Sequence, residues 1–109
     1  MYKISKRFEI SASHKLELNY DSKCLNQHGH NWIITVYCKS KKLNENGMVI
    51  DFKHIKNRIS NELDHKYLND VLCFNPTAEN IAKWIVDEID FCYKAIVQES
   101  EGNLASYEI

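Results

Sequence analysis

The chain has 109 residues, 44% of them hydrophobic and 27% charged, which is the length of one domain with enough apolar side chains to build a core without disulfide or metal staples. Fourteen Lys and Arg against fifteen Asp and Glu give a net charge of -1, so the basic surplus that drives phosphate-backbone binding is missing and nucleic acid is excluded as the main partner. No apolar run approaches the ~20 residues of a membrane-spanning helix. Charges at Lys3, Lys6 and Arg7 occupy the place of a secretory apolar segment, so the expectation is a cytoplasmic protein whose four cysteines are reduced. One Pro and three Gly leave no linker, and a single domain over 1–109 is expected.

Between Tyr2 and His14 the even positions Tyr2, Ile4, Phe8, Ile10, Ala12 and His14 form one face and Lys3, Ser5, Arg7, Glu9 and Ser11 the other, broken only at Lys6, the period of a half-buried strand. A second strand is expected over His28 to Cys38, where His28, His30, Trp32, Ile34, Val36 and Cys38 share a face and β-branched and aromatic residues are dense. Asn44-Glu45-Asn46-Gly47 is turn chemistry. Asp51 follows as a helix N-cap, with Phe52, Ile55, Ile59 and Leu63 at helical spacing as the buried stripe. Asn75-Pro76-Thr77 opens a second helix with Pro near its first position, Glu79 in the first turn and Ile81, Ile85 and Ile89 facing inward. Strand-like runs from Tyr93 to Glu99 and from Leu104 to Ile109 complete a β-β-α-α-β-β order, an α+β domain with helices on one face of an antiparallel sheet. So small a sheet leaves its edge strands unpaired, and oligomerisation through them is expected.

If the first two strands pair as antiparallel neighbours, the end of one lies beside the start of the other, and His14 meets His28 and His30. The last two share a face because side chains alternate with period two. Three imidazoles with an open fourth position are the donor set of a catalytic rather than a structural zinc. His54, inside the first helix, has no such company and is read as surface. Cys24, in the loop joining the two strands, must lie near this cluster, where an adjacent cation or imidazole makes a thiolate available. Cys38, Cys73 and Cys92 are read as small hydrophobes. Asp64-His65 at the end of the first helix suits either a proton-transfer histidine tuned by its carboxylate or a histidine favoured by the helix terminus. Pattern alone does not separate Glu99 from Glu101.

Taken together, Phe8-x-Ile10-x-Ala12-Ser13-His14, Cys24-x3-His28-Gly29-His30-Asn31, Gly47-Met48-Val49-Ile50-Asp51-Phe52, Leu63-Asp64-His65-x2-Leu68-Asn69, Asn75-Pro76-Thr77-x-Glu79-Asn80 and Glu99-Ser100 make a chain that resembles the 6-pyruvoyl-tetrahydropterin synthase / 6-carboxytetrahydropterin synthase family. Each motif is weak alone, whereas six in order across the chain are specific. The three-residue gap between Cys24 and His28 resembles the branch that forms the carboxy product. Trp32 stands where that family often has Tyr, and Ser13 and Ser100 where it often has Ala and Thr.

The resemblance implies the T-fold, a tunnelling fold whose subunits join sheet edges into barrels, commonly a homo-hexamer built as a dimer of trimers with active sites between subunits. It implies a small-molecule pterin substrate, 7,8-dihydroneopterin triphosphate, converted to 6-carboxy-5,6,7,8-tetrahydropterin, acetaldehyde and triphosphate in queuosine and 7-deazapurine biosynthesis. It further implies Zn2+ on His14, His28 and His30, a catalytic group of Cys24, Asp64 and His65, and Glu99 holding the pterin edge, with Thr77 lining the same pocket. The triphosphate would meet scattered cations such as Lys15, Lys23 or Lys66. The pyruvoyl product, or a non-catalytic pterin- or metal-binding module, are the other readings of the same residues.

Overall fold

The computed structural model describes all 109 residues. Two strands of 13 residues, β1 (Tyr2–His14) and β2 (His28–Ser40), pair antiparallel from Tyr2 opposite Ser40 to His14 opposite His28. Between β2 and the next strand the chain forms α1 (Phe52–Leu63), the single turn α2 (Leu68–Val71) and α3 (Ala78–Glu88). It then returns to the sheet as β3 (Cys92–Ser100) and β4 (Asn103–Glu108), giving the strand order β1-β2-β3-β4.

The alternation read in the sequence is what fixes the register. Phe8 lies opposite Ile34 and Ile10 opposite Trp32, and these four, with Ala12, Val36 and Val97, are buried on the helix side. A slip of one residue would turn that whole set to the other face. Ile55, Ile59 and Leu63 of α1 and Ile81, Ala82, Ile85 and Val86 of α3 close the core. Asp51 caps α1 by accepting from the Lys53 amide at 2.8 Å, and Thr77 caps α3 by accepting from the Asn80 amide at 3.1 Å, each satisfying one of the free amides of a helix start.

Several details differ from the sequence reading. Pro76 precedes α3 rather than opening it, because Thr77 is the cap. Phe52, at the first position of α1, is 49% exposed: a first-turn side chain leans back beyond the helix end, where Phe52 borders a hollow with Tyr2, Met48 and Val49. Cys73 is exposed, its neighbour Leu72 having taken the inward position. The second strand runs to Ser40 instead of Cys38, and α2 and a 3-10 turn at Lys23–Leu25 were not anticipated, being too short to show a period. His54 is exposed, as expected.

Candidate metal centre and adjoining clefts

Where β1 ends and β2 begins, the register places His14 directly opposite His28, with His30 two residues further on the same face. The ring centroids lie 4.6 Å (His14–His28), 5.2 Å (His14–His30) and 4.8 Å (His28–His30) apart. Glu99 joins them from β3. It follows inward-facing Val97 by two residues, and a β-bulge between Gln98 and Ser100 leaves Glu99 out of the ladder with β4, a device that re-aims a side chain at a site. One ligand atom from each of His14, His28, His30 and Glu99 can be chosen so that all lie within 4.8 Å of one another.

The outer atoms of the rings are already committed. Nδ1 of His14 lies 2.8 Å from the Pro76 carbonyl oxygen and Nδ1 of His28 lies 2.7 Å from that of Asn26. A carbonyl only accepts, so both Nδ1 atoms carry the proton and both Nε2 atoms are lone-pair donors, the arrangement that orients histidine ligands of metals. Nε2 of His14 and of His30 are buried without a hydrogen-bond partner. Glu99 Oε1 lies 3.4 Å and 2.8 Å from them but is not aligned for a hydrogen bond. Unpartnered buried nitrogens are costly, and a divalent cation among them would satisfy both. The three imidazoles and one carboxylate therefore fit a divalent metal ion.

Trp32 forms the floor. It is 1% exposed, its indole N–H donates to the Ala12 carbonyl at 3.1 Å, and its ring meets those of His14 and His30 edge-on at 4.9 and 5.4 Å. Burial is the largest effect on His14 and holds its pKa below the ordinary 6.5, against the Pro76 carbonyl and Glu99, which raise it.

The cluster opens into a cleft of about 600 Å3 lined by Lys23, Cys24, His28, His30, Glu99, Ser100 and Asn103, among others. Its loop is held by two asparagines acting as strand mimics. Asn69 accepts from the Lys15 amide and donates to the Lys15 carbonyl, both at 2.9 Å, and Asn75 does the same to Glu17 at 3.0 Å. The Leu16 amide then donates to the Cys24 carbonyl at 2.8 Å, which anchors the thiol's backbone. Nothing in the pattern of hydrophobic residues marks these asparagines.

Asp64 and His65 stand elsewhere. Asp64 Oδ1 accepts from the Ser11 amide at 2.9 Å and lies 3.1 Å from His65 Nδ1. His65 adopts a left-handed φ of 59° that lets its amide donate to the Ser11 carbonyl at 2.7 Å. Its side chain is 82% exposed over a second cleft of about 500 Å3, lined by Ser11, Ser13, Asn31, His65, Lys66 and Tyr67. The two clefts share only Gly29 and His30. The structure thus gathers His14, His28, His30, Glu99 and Cys24 and keeps the Asp64–His65 pair apart from Cys24 within one chain. Thr77 lines neither cleft; its hydroxyl caps α3.

A family model described as 6-pyruvoyl tetrahydropterin synthase matches residues 3–109. The chain belongs to the 6-pyruvoyl tetrahydropterin synthase family. The 6-carboxy-5,6,7,8-tetrahydropterin synthase of Synechocystis is 39% identical over 99 residues, covering 83% of this chain and 76% of its own length. The protein of that name from Aquifex aeolicus is 30% identical over 125 residues, covering 79% of this chain and 77% of its own. A 6-pyruvoyl tetrahydrobiopterin synthase of Dictyostelium discoideum is also 30% identical, covering 95% of this chain and 93% of its own. The solved structure of Caenorhabditis elegans 6-pyruvoyl tetrahydropterin synthase superposes with a TM-score of 0.77 at 24% identity, covering 99% of this chain and 95% of that one. The fold is accordingly the T-fold shared by members of this family.

Proposed function

We propose that this family member is a 6-carboxy-5,6,7,8-tetrahydropterin synthase, converting 7,8-dihydroneopterin triphosphate to 6-carboxytetrahydropterin, acetaldehyde and triphosphate in queuosine biosynthesis. The observation that carries the reading is the pair of unpartnered imidazole nitrogens in the cluster of His14, His28 and His30, beside Cys24 in one cleft. The names of its Synechocystis and Aquifex relatives support the same reaction, as does the three-residue gap between Cys24 and His28.

Zn2+ held by the three histidines would supply Lewis acidity to the hydroxyl oxygens of the substrate side chain. Cys24 accepts the proton from the side-chain carbon as thiolate. His65, oriented through Nδ1 by Asp64, exchanges protons as the carbon–carbon bond breaks. Glu99 was assigned above to the pterin edge, yet its carboxylate stands against His14 and His30. The reading keeps Glu99 as the acid that accepts from the amino-pyrimidinone edge of the pterin, in the cleft it shares with Cys24. Since Cys24 and His65 open into different clefts of one chain, a complete site draws Asp64 and His65 from a neighbouring copy. The outer edge of β4, and that of β1 short of Ser11, carry no neighbouring strand and suit the sheet-edge assembly of a homo-hexamer, and Lys23, in the cleft with Cys24, is the cation we assign to the triphosphate.

The Dictyostelium relative favours one second reading, the pyruvoyl product from the same substrate. Incubation with 7,8-dihydroneopterin triphosphate, with and without a chelator, and mass spectrometry of the products separates the two. Acetaldehyde with 6-carboxytetrahydropterin, lost on chelation and restored by Zn2+, is the expected result. A 6-pyruvoyl product without acetaldehyde overturns the assignment of the branch, and no turnover by folded, metal-loaded protein leaves a binding module.

A further inference from the structure

At the end of β2 remote from the histidines, Cys38 faces Cys92. The two are direct antiparallel partners, and they are buried, at 0% and 6% exposure. Their meeting is a product of local irregularity. Counting back by two from inward-facing Val97 and Ala95 would put Tyr93 inside and Cys92 outside. The bulge at Tyr37/Cys38 inserts one residue into β3, and the inward position passes to Cys92. Directly opposed antiparallel residues have Cα atoms ~4.5 or ~5.5 Å apart, inside the ~4.4–6.8 Å range that a disulfide spans.

We propose that Cys38 and Cys92 are a modification site, a dithiol that a hydroperoxide converts to a disulfide tying β2 to β3. Two observations favour reaction over inert packing. The ladder is irregular at the pair: the bulge interrupts it, and Phe91, a non-glycine residue at φ 67° and 56% exposed, stands immediately before Cys92. Residues held in the left-handed region away from glycine are strained, so the pair sits at a strained end of the sheet. The two thiols also divide their labour: a hydrogen bond from Cys38 pulls the Cys92 pKa down, and the same bond, together with burial, pushes that of Cys38 up. Cys92, the less buried of the two, is the attacking sulfur.

The chemistry balances with the hydroperoxide alone. The Cys92 thiolate attacks the peroxide oxygen and the O–O bond breaks, leaving a sulfenic acid on Cys92 and releasing the alcohol, or water from hydrogen peroxide. The Cys38 sulfur attacks the Cys92 sulfur, and the sulfenic hydroxyl leaves with the Cys38 proton as water. Two thiols are oxidised, one O–O bond is reduced, and a cross-link results that closes α1, α2 and α3 into a covalent loop. Cross-linking residues so far apart in sequence constrains the unfolded chain.

The test exposes the folded full-length protein to graded hydrogen peroxide, alkylates it under denaturing conditions and maps its peptides. The expected result is a Cys38–Cys92 linked peptide, loss of two hydrogens per chain, and a rise in Tm that dithiothreitol reverses and that Cys38→Ser and Cys92→Ser each abolish. The variant Cys24→Ser/Cys73→Ser, which keeps only this pair, should behave alike. Alkylation of both Cys38 and Cys92 at peroxide levels that oxidise Cys24 or Cys73 overturns the proposal, as does a sulfinic acid on Cys92 beside a free Cys38.

Discussion

The two clefts flanking His28-Gly29-His30 are held by different physics. The histidine cleft is made by strand register: thirteen consecutive cross-strand pairs bring His14 to His28, and the outer nitrogens of His14 and His28 are tied to backbone carbonyls, so its geometry is complete in one chain. The second cleft is made by a loop: Asp64 and His65 hang from the β1 edge by bonds to Ser11, and the His65 ring stands in solvent. A preorganised half and an exposed half are what the proposed division of the site between two copies would show, the rigid half positioning substrate and the exposed half free to face a neighbour.

The sharpest way to break this contrast is at the rigid half. His28→Ala should leave an assembled protein that has lost most of its bound zinc and its turnover, because its Nδ1 bond to Asn26 lies at the cleft and its ring is only half-buried. Metal analysis of the purified variant gives the answer, and unchanged stoichiometry would remove His28 from the site. Next in size, Cys24→Ala and Asp64→Ala should each lower kcat by ~10²–10⁴-fold, the usual worth of a positioned acid or base, with metal content unchanged. Mixed during refolding, the two variants should recover activity, since some sites then combine an intact Cys24 with an intact Asp64. If neither variant complements the other while mass spectrometry shows mixed oligomers, the two clefts do not form one site.

The same contrast explains what could be read from the sequence. Strand period and pairing led from Tyr2–His14 and His28–Cys38 to three converging histidines, since register is set by which face is apolar and the structure keeps that face. Glu99 shares the inward period of Ala95 and Val97, but so does Glu101, and only the end of β3 at Ser100, which leaves Glu101 in the turn, separates the two. Asn69 and Asn75 were visible only as motif members, because their work is side-chain pairing with a distant backbone. Cys73 was misjudged because a lone apolar side chain between Leu72 and Phe74 has no period to place it.

Smaller effects should come from what supports the histidines. Trp32→Phe keeps a ring near His14 and His30 but removes the indole N–H bond to Ala12. Outer-sphere changes of this kind cost ~10–100-fold in metal affinity, and the lower end is expected here because no group bonded to an imidazole nitrogen is lost. Competition with a chromophoric chelator measures it, and an affinity equal to wild type would make Trp32 simple core packing.

The smallest effect is a pH dependence of the metal-free protein. Burial lowers the His14 pKa in the folded state below the 6.5 it has when free, so as pH falls through 6.5 the unfolded chain takes up a proton first. Wherever the unfolded state binds more protons, stability rises with pH. His14 therefore contributes stability that is fully present above 6.5 and is lost as pH falls toward its folded pKa, the direction opposite to that of a histidine stabilised as a cation. Urea midpoints of chelator-treated protein should decline over that window, and His14→Gln, which has no such proton to gain, should flatten the decline. A midpoint that climbs as pH falls would mean that Glu99, 3.4 Å from His14, outweighs burial and that the metal-free cluster rests as an ion pair.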